Sequence, residues 1–314
     1  VANTKTKRIH YARARFAHTK YQKARLQHEL DLAINKLRTV VSRTVNFTNG
    51  FTMQIRKAEI RAAAYGTWLH IASYVQGEST TTVPQPPRSA VDADLGALRP
   101  PERTDFMDGE VFVLVSGNHA LVCSTGISDT QLCLFFDRLI QLANKGGDVP
   151  GTSLGRVADF DKVKMIEQHG VKAVAVNASL YNASLQNIKR TTTRKRLLGR
   201  VADEISALVR KDTDPDDDSV LADFDAEVII KVDKRRGAKD AEETLRQIAV
   251  EAVTEDHDGF TVILGNNVAV TSSRVSLSKP FSIPAESKGL NRVSAVAALD
   301  SYFSELKHEG HLTT

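Results

Sequence analysis

Lysine and arginine side chains make charge-assisted hydrogen bonds to phosphate oxygens, and this chain concentrates them at one end. Lys5, Lys7, Arg8, Arg13, Arg15, Lys20, Lys23 and Arg25 fall within the first 28 residues, with His10, His18 and His28 between them and no acid. Through Arg61 there are fourteen Lys/Arg against Glu29, Asp31 and Glu59, a balance of +11 in a chain that totals only +4. The rest of the chain is therefore net acidic. A field this lopsided implies a polyanionic partner, most simply nucleic acid. A second cluster joins Lys189, Arg190, Arg194, Lys195 and Arg196, with three threonines inside it and Arg200 a turn later. Hydroxyl and guanidinium groups both donate to phosphate oxygens. Neither cluster carries a helix-turn-helix, zinc-finger or RNP signature. The expected contact is to the nucleic-acid backbone, salt-dependent and weakly sequence-specific. Tyr11, Phe16 and Tyr21 alternate with the cations. They could stack on unpaired bases, but the favoured reading is that they anchor a strand on the core.

Other chemistry finds little support. Eight acids fall within 212–227, namely Asp212, Asp214, Asp216, Asp217, Asp218, Asp223, Asp225 and Glu227. The run lacks the glycine at position six and the glutamate at position twelve of an EF-hand loop, so it reads as a solvated linker, or else as an intramolecular partner for a basic surface. Walker and Gly-x-Gly-x-x-Gly loops are absent. Glu305-Leu306-Lys307, with Asp300 upstream, has the Glu-x-Lys spacing of metal nucleases, but its pattern is helical rather than strand-like. His308 and His311 lie in a stretch expected to fray and have too few companions for a zinc site. No catalytic residue, metal or cofactor is expected.

These residues need elements to position them. A short basic strand is expected at 9–16, then a helix over 21–41 with Leu26, Leu30, Ile34, Leu37 and Val41 on one stripe. Around Asn49-Gly50, a three-residue loop pairs Phe47 with Phe51 and Val45 with Met53, so apolar faces apolar. A third strand at 67–75 completes a meander. The clearest hairpin spans 110–125 around Gly117-Asn118, and both arms are apolar enough to be buried on both faces. Ser128 and Gln131 form a capping box for the helix that follows. A short helix at 160–168, a strand at 171–177 and a helix at 195–210 come next. A strand at 226–233, a helix at 239–253 and strands at 259–264 and 268–277 make a β-α-β-β unit, in which Val262 meets Val270. A helix at 292–306 closes the chain.

The fold class is therefore α+β: mixed or antiparallel sheets with packed helices, an N-terminal β-α-β-meander and a C-terminal β-α-β-β module. The expected regions are a basic region at 1–76, a Pro/Thr-rich linker or excursion at 77–108, a central α+β region at 109–211, an acidic linker at 212–225 and a C-terminal module at 226–314. No apolar run reaches the roughly 18 residues of a membrane helix. No apolar segment follows the charged start, so no secretory signal is expected. Cys123 and Cys133 read as core residues in a reducing, cytoplasmic setting.

The hairpin DGEVFVLVSGNHALVCSTG followed by LCLFFDRLIQLANK, together with the C-terminal β-α-β-β unit, resembles Rex-type phage-exclusion and abortive-infection proteins of bacteria and prophages. That resemblance implies a cytoplasmic, homodimeric protein that binds double-stranded DNA in antiviral defence, with no catalytic residues to carry over. Two alternatives remain: a metal-dependent nuclease using acids of the 203–233 stretch, and a protein–protein adaptor whose basic arm is structural.

Overall fold

The computed structural model describes residues 4–48, 50–62, 65–83, 85, 92, 94–157, 170–179, 225–232, 239–254, 259–265, 269–271, 276–286 and 289–312. The α+β class holds: helices pack on antiparallel sheets. The expected helices at 160–168 and 195–210, the second basic cluster, most of the acidic run and Asn49 lie outside the described residues.

The strands are β1 (Thr4–Phe16), β2 (Thr44–Asn46), β3 (Phe51–Ile60), β4 (Thr67–Val75), β5 (Thr80–Thr82), β6 (Gly96–Leu98), β7 (Met107–Ser116), β8 (His119–Thr125), β9 (Thr152–Arg156), β10 (Val171–Ser179), β11 (Asp225–Lys231), β12 (Gly259–Leu264), β13 (Ala269–Thr271), β14 (Ser278–Glu286) and β15 (Gly289–Leu290). The described helices are α1 (Leu26–Lys36), α2 (Asp129–Ala143), α3 (Lys239–Thr254) and α4 (Arg292–His308). A nine-stranded sheet runs β15-β14-β1-β8-β7-β4-β3-β2, with β9 also paired to β1. A second sheet runs β11-β10-β12-β13, and β5 and β6 form a ribbon.

Two apolar cores lie on the two faces of the large sheet. One collects Ala12, Ala14 and Phe16 of β1 with Val111, Val113 and Val115 of β7, under α1 and α2. The other collects Ile9, Tyr11, Phe112, Leu114 and Cys123 under α4. Period-two alternation along doubly covered strands places consecutive apolar residues in opposite cores. This is why β7 and β8 read as continuous apolar runs. The two cysteines are buried and free, and they sit in opposite cores.

Three turn registers match expectation. Val45 pairs with Met53, and the Phe47 N–H reaches the Phe51 carbonyl across a loop in which Gly50 takes φ +80°. Ser116 pairs with His119 around Gly117, at φ +61°. Val262 pairs with Val270. The Ser128–Gln131 capping box is complete on both sides.

Other expectations need correction. The helix expected at 21–41 spans only Leu26–Lys36. The chain before it is extended at Arg25, and Leu37 leaves helical geometry (φ −92°, ψ 77°). Val41 is therefore 80% exposed rather than on the stripe. The basic strand is longer than expected and interior to the sheet, not an arm. β14 was not among the expected strands, and it carries Pro280 and Pro284. The two prolines share one parity, and the antiparallel ladder with β1 alternates hydrogen-bonded and non-bonded pairs. Both therefore fit at non-bonded positions, opposite Arg8 and Thr4. Strand pairing joins residues of different expected regions. β10 pairs with both β11 and β12, whereas β14 and α4 return to the first sheet. The described end of the chain is capped rather than frayed. Gly310 takes φ +76°, and the His311 N–H reaches back to the Leu306 carbonyl.

Candidate nucleic-acid interface

β1 distributes the N-terminal cations by position and by parity. Eight residues separate Lys7 from Arg15, about 26 Å along a strand. Lys5, Lys7 and Arg8 therefore lie toward one end of the sheet, and Arg13 and Arg15 toward the other. Alternation puts Lys5, Lys7, Arg13 and Arg15 on the α4 face and Arg8 on the α1–α2 face. Arg8 donates to Ser278 Oγ at 3.1 Å. Lys7 is a charge neighbour of the Cys123 thiol, which burial pushes up to about 11 against the lowering effect of that lysine.

Arg13 is tied into a buried polar knot. Its Nε donates to the Tyr11 hydroxyl at 3.3 Å, and that hydroxyl donates to the His311 carbonyl at 3.1 Å. His119 Nδ1 lies 2.7 Å from the same oxygen. The phenol has one proton, so His119 meets it as the Nδ1–H tautomer. Burial raises the Tyr11 pKa, against the Arg13 hydrogen bond and charge, and burial and then Arg13 lower that of His119. Tyr11, Phe16 and Tyr21 are all buried. They anchor β1 and its exit turn and present no face to a base.

From the end of β1 onward the cations are exposed. Arg15, Lys20, Lys23 and Arg25 are exposed where the chain leaves β1, turns through Thr19–Tyr21 and enters α1. Lys20 meets Asp148 at 3.3 Å in an exposed pair. Among the described residues Lys23 and Arg25 make no ion pair.

The segment is held in place from across the chain. Asn118, in the β7–β8 turn, accepts the Leu26 N–H on Oδ1 at 2.8 Å. The Gly117 carbonyl accepts the Gln27 N–H at 2.9 Å, and Gln27 Oε1 accepts the Gly117 N–H at 2.8 Å. Two of the four N–H groups that a helix leaves open are thus satisfied in trans. Against this end lies a cavity of about 400 Å³ lined by Lys23, Ala24, Arg25, Gln27, His28 and Asp31. Asp31 accepts the Thr67 hydroxyl at 2.6 Å. Burial raises its pKa, and the Thr67 bond and the His28 charge oppose the rise. Sequence reading missed Gln27, His28, Asp31 and Asn118 as site residues. Only the i,i+3 spacing of His28 and Asp31 hinted at a shared face. Nothing local announced Asn118, more than ninety residues away.

Elsewhere the acids have structural partners. Asp300 accepts from Arg61 at 2.7 Å, and Glu305 is bonded to Lys279, so these two acids of α4 tie the helix to the β3 end and to β14. Among the described residues no three His, Cys, Asp or Glu side chains are grouped to hold a metal, and no helix is long and apolar enough to cross a membrane. Lys189, Arg190, Arg194, Lys195, Arg196 and Arg200 lie outside the described residues. Comparison with protein families, curated proteins and solved structures finds no match for this chain.

Proposed function

We propose that this chain is a non-enzymatic nucleic-acid-binding protein that grips the phosphate backbone, with double-stranded DNA as the favoured ligand. One observation carries the reading. Arg15, Lys20, Lys23 and Arg25 are all exposed where the chain leaves β1 and enters α1, within a segment of balance +11. On a strand exit and a trans-capped helix start their backbone is already placed, so only the side chains are left to order on phosphates. The resemblance of the β7–β8 hairpin and α2 to phage-exclusion proteins extends the reading to a homodimer acting in bacterial anti-phage defence.

Gel-shift titration with duplex DNA, single-stranded DNA and RNA at two salt concentrations tests it. Four phosphate contacts give a log–log salt slope near −3.6, about a hundredfold weaker binding at 200 mM than at 50 mM salt. No binding at low salt, or an affinity indifferent to salt, overturns the proposal. Magnesium-dependent cleavage of plasmid DNA by purified protein would replace it with the nuclease alternative.

A further inference from the structure

The cavity beside α1 has two chemically distinct ends. Lys23 and Arg25 supply cationic donors, and His28 a ring nitrogen, at an exposed rim. Asp31 supplies a carboxylate, one oxygen of which already holds the Thr67 hydroxyl. At about 1.5 Å per residue, Asp31 lies roughly 9 Å along the α1 axis from Arg25. The helix end itself is not the recognition element, because Asn118 and Gly117 occupy its first two N–H groups. What remains is a side-chain site polarised from donor to acceptor. Its volume of about 400 Å³ falls within the range of about 300–1,000 Å³ usual for small-molecule sites. A lone phosphate would leave most of it empty.

We propose that this cavity receives one nucleotide unit, its phosphate between Lys23 and Arg25 and its base edge donating to Asp31. This rests on the nucleic-acid reading and deepens it: the sheet end grips the backbone, and the cavity takes a single residue turned out of the stack or already single-stranded. A carboxylate accepts from the exocyclic amine of cytosine and finds no such amine on thymine. The site therefore prefers amine-bearing bases. The same chemistry would admit a free nucleoside monophosphate, and the experiment separates the two sources.

The test is fluorescence anisotropy of the full chain with short labelled oligo(dC) and oligo(dT), competed with free CMP and with inorganic phosphate. Oligo(dC) should bind more tightly than oligo(dT). Lys23→Ala/Arg25→Ala should weaken both by about tenfold or more and reduce the salt slope by about two. Asp31→Asn should narrow the dC/dT ratio, and it keeps an acceptor for Thr67. Lys23 and Arg25 are exposed, so their variant should retain the wild-type thermal transition. Oligonucleotide binding unchanged by Lys23→Ala/Arg25→Ala overturns the cavity inference and the backbone reading together, because these two cations serve both. Equal affinity for dC and dT, unaltered by Asp31→Asn, overturns the base orientation. Binding of CMP, lost in the Lys23/Arg25 variant, without binding of any oligonucleotide or duplex keeps the cavity and overturns the nucleic-acid reading. Displacement by inorganic phosphate as effective as by CMP reduces the site to a phosphate contact and refutes the nucleotide assignment.

Discussion

Removing the Asp129 carboxylate should destabilise the protein by an amount that depends on pH in a defined sense. Asp129 opens α2 and joins three elements. Its Oδ2 accepts Arg156 Nε at 3.0 Å and Nη2 at 2.9 Å, and its Oδ1 faces His10 Nε2 at 3.2 Å. The side chains are largely buried, with 18% exposed for Asp129, 13% for His10 and 33% for Arg156. Asp129→Ala leaves the other two groups partly buried and unpaired. Breaking a fully buried pair costs about 3–5 kcal/mol. Partial exposure of Arg156 reduces this to about 2–3 kcal/mol. Loss of a favourable charge in the first turn of α2 adds about 0.3–1 kcal/mol. A total near 3 kcal/mol shifts the urea midpoint by about 1 M at an m-value of about 3 kcal/mol/M. Burial pushes the Asp129 carboxyl up, but the His10 hydrogen bond and the charges of His10 and Arg156 outweigh it and hold the group well below the usual carboxylate range. A depressed folded-state pKa stabilises above the unfolded value, near 3.9, and that stability is lost as pH falls toward the folded value. The deficit of the alanine variant should be complete at pH 7 and shrink below about pH 4. Urea unfolding of both proteins at pH 7 and pH 3 measures this. A midpoint difference below about 0.2 M at pH 7, or a deficit that grows on acidification, refutes the reasoning.

Asn118→Ala should lower stability by about 1 kcal/mol through loss of the trans cap on Leu26, whereas Asn118→Asp keeps the acceptor and should stay near wild type by the same denaturation assay. Gly66→Ala should cost about 2 kcal/mol or more, because φ there is +71° and a Cβ would sit 2.5 Å from the Val115 carbonyl oxygen; a thermal transition unchanged from wild type would contradict this. Cys123, buried with its thiol pushed up to about 11, and the buried Cys133 should resist a thiol reagent at pH 8 until urea unfolds the chain, so rapid titration of either in the native protein counts against the fold. Leu30→Ala should cost about 2–5 kcal/mol, whereas Val41→Ser, at a position 80% exposed, should stay within about 0.5 kcal/mol; comparable midpoint shifts would restore the longer α1 stripe.

Short-range patterns were legible in the sequence because local physics decides them. Gly50 and Gly117 supply the positive φ that their loops need, and pairing apolar with apolar leaves one register at each turn. The Ser128–Gln131 box and the apolar runs of β7 and β8 likewise need only their own neighbours. Charge clustering was legible as composition, which is a property of the chain and not of its surface. Only the tertiary structure decided which cations share a patch. β1 is an interior strand, so its length separates Lys5, Lys7 and Arg8 from the group ending at Arg25, and alternation turns Arg8 to the opposite face. The start of α1 was equally hidden. Lys23–Arg25 could continue a helix by propensity, yet the Gly117-Asn118 turn accepts the N–H groups of Leu26 and Gln27 and fixes the first turn there. β14 became a strand because β1 offered a ladder whose non-bonded positions tolerate Pro280 and Pro284. Contacts at a separation of ninety residues or more leave no periodicity in the segments they join, so the cap that fixes the start of α1 could be found only in three dimensions.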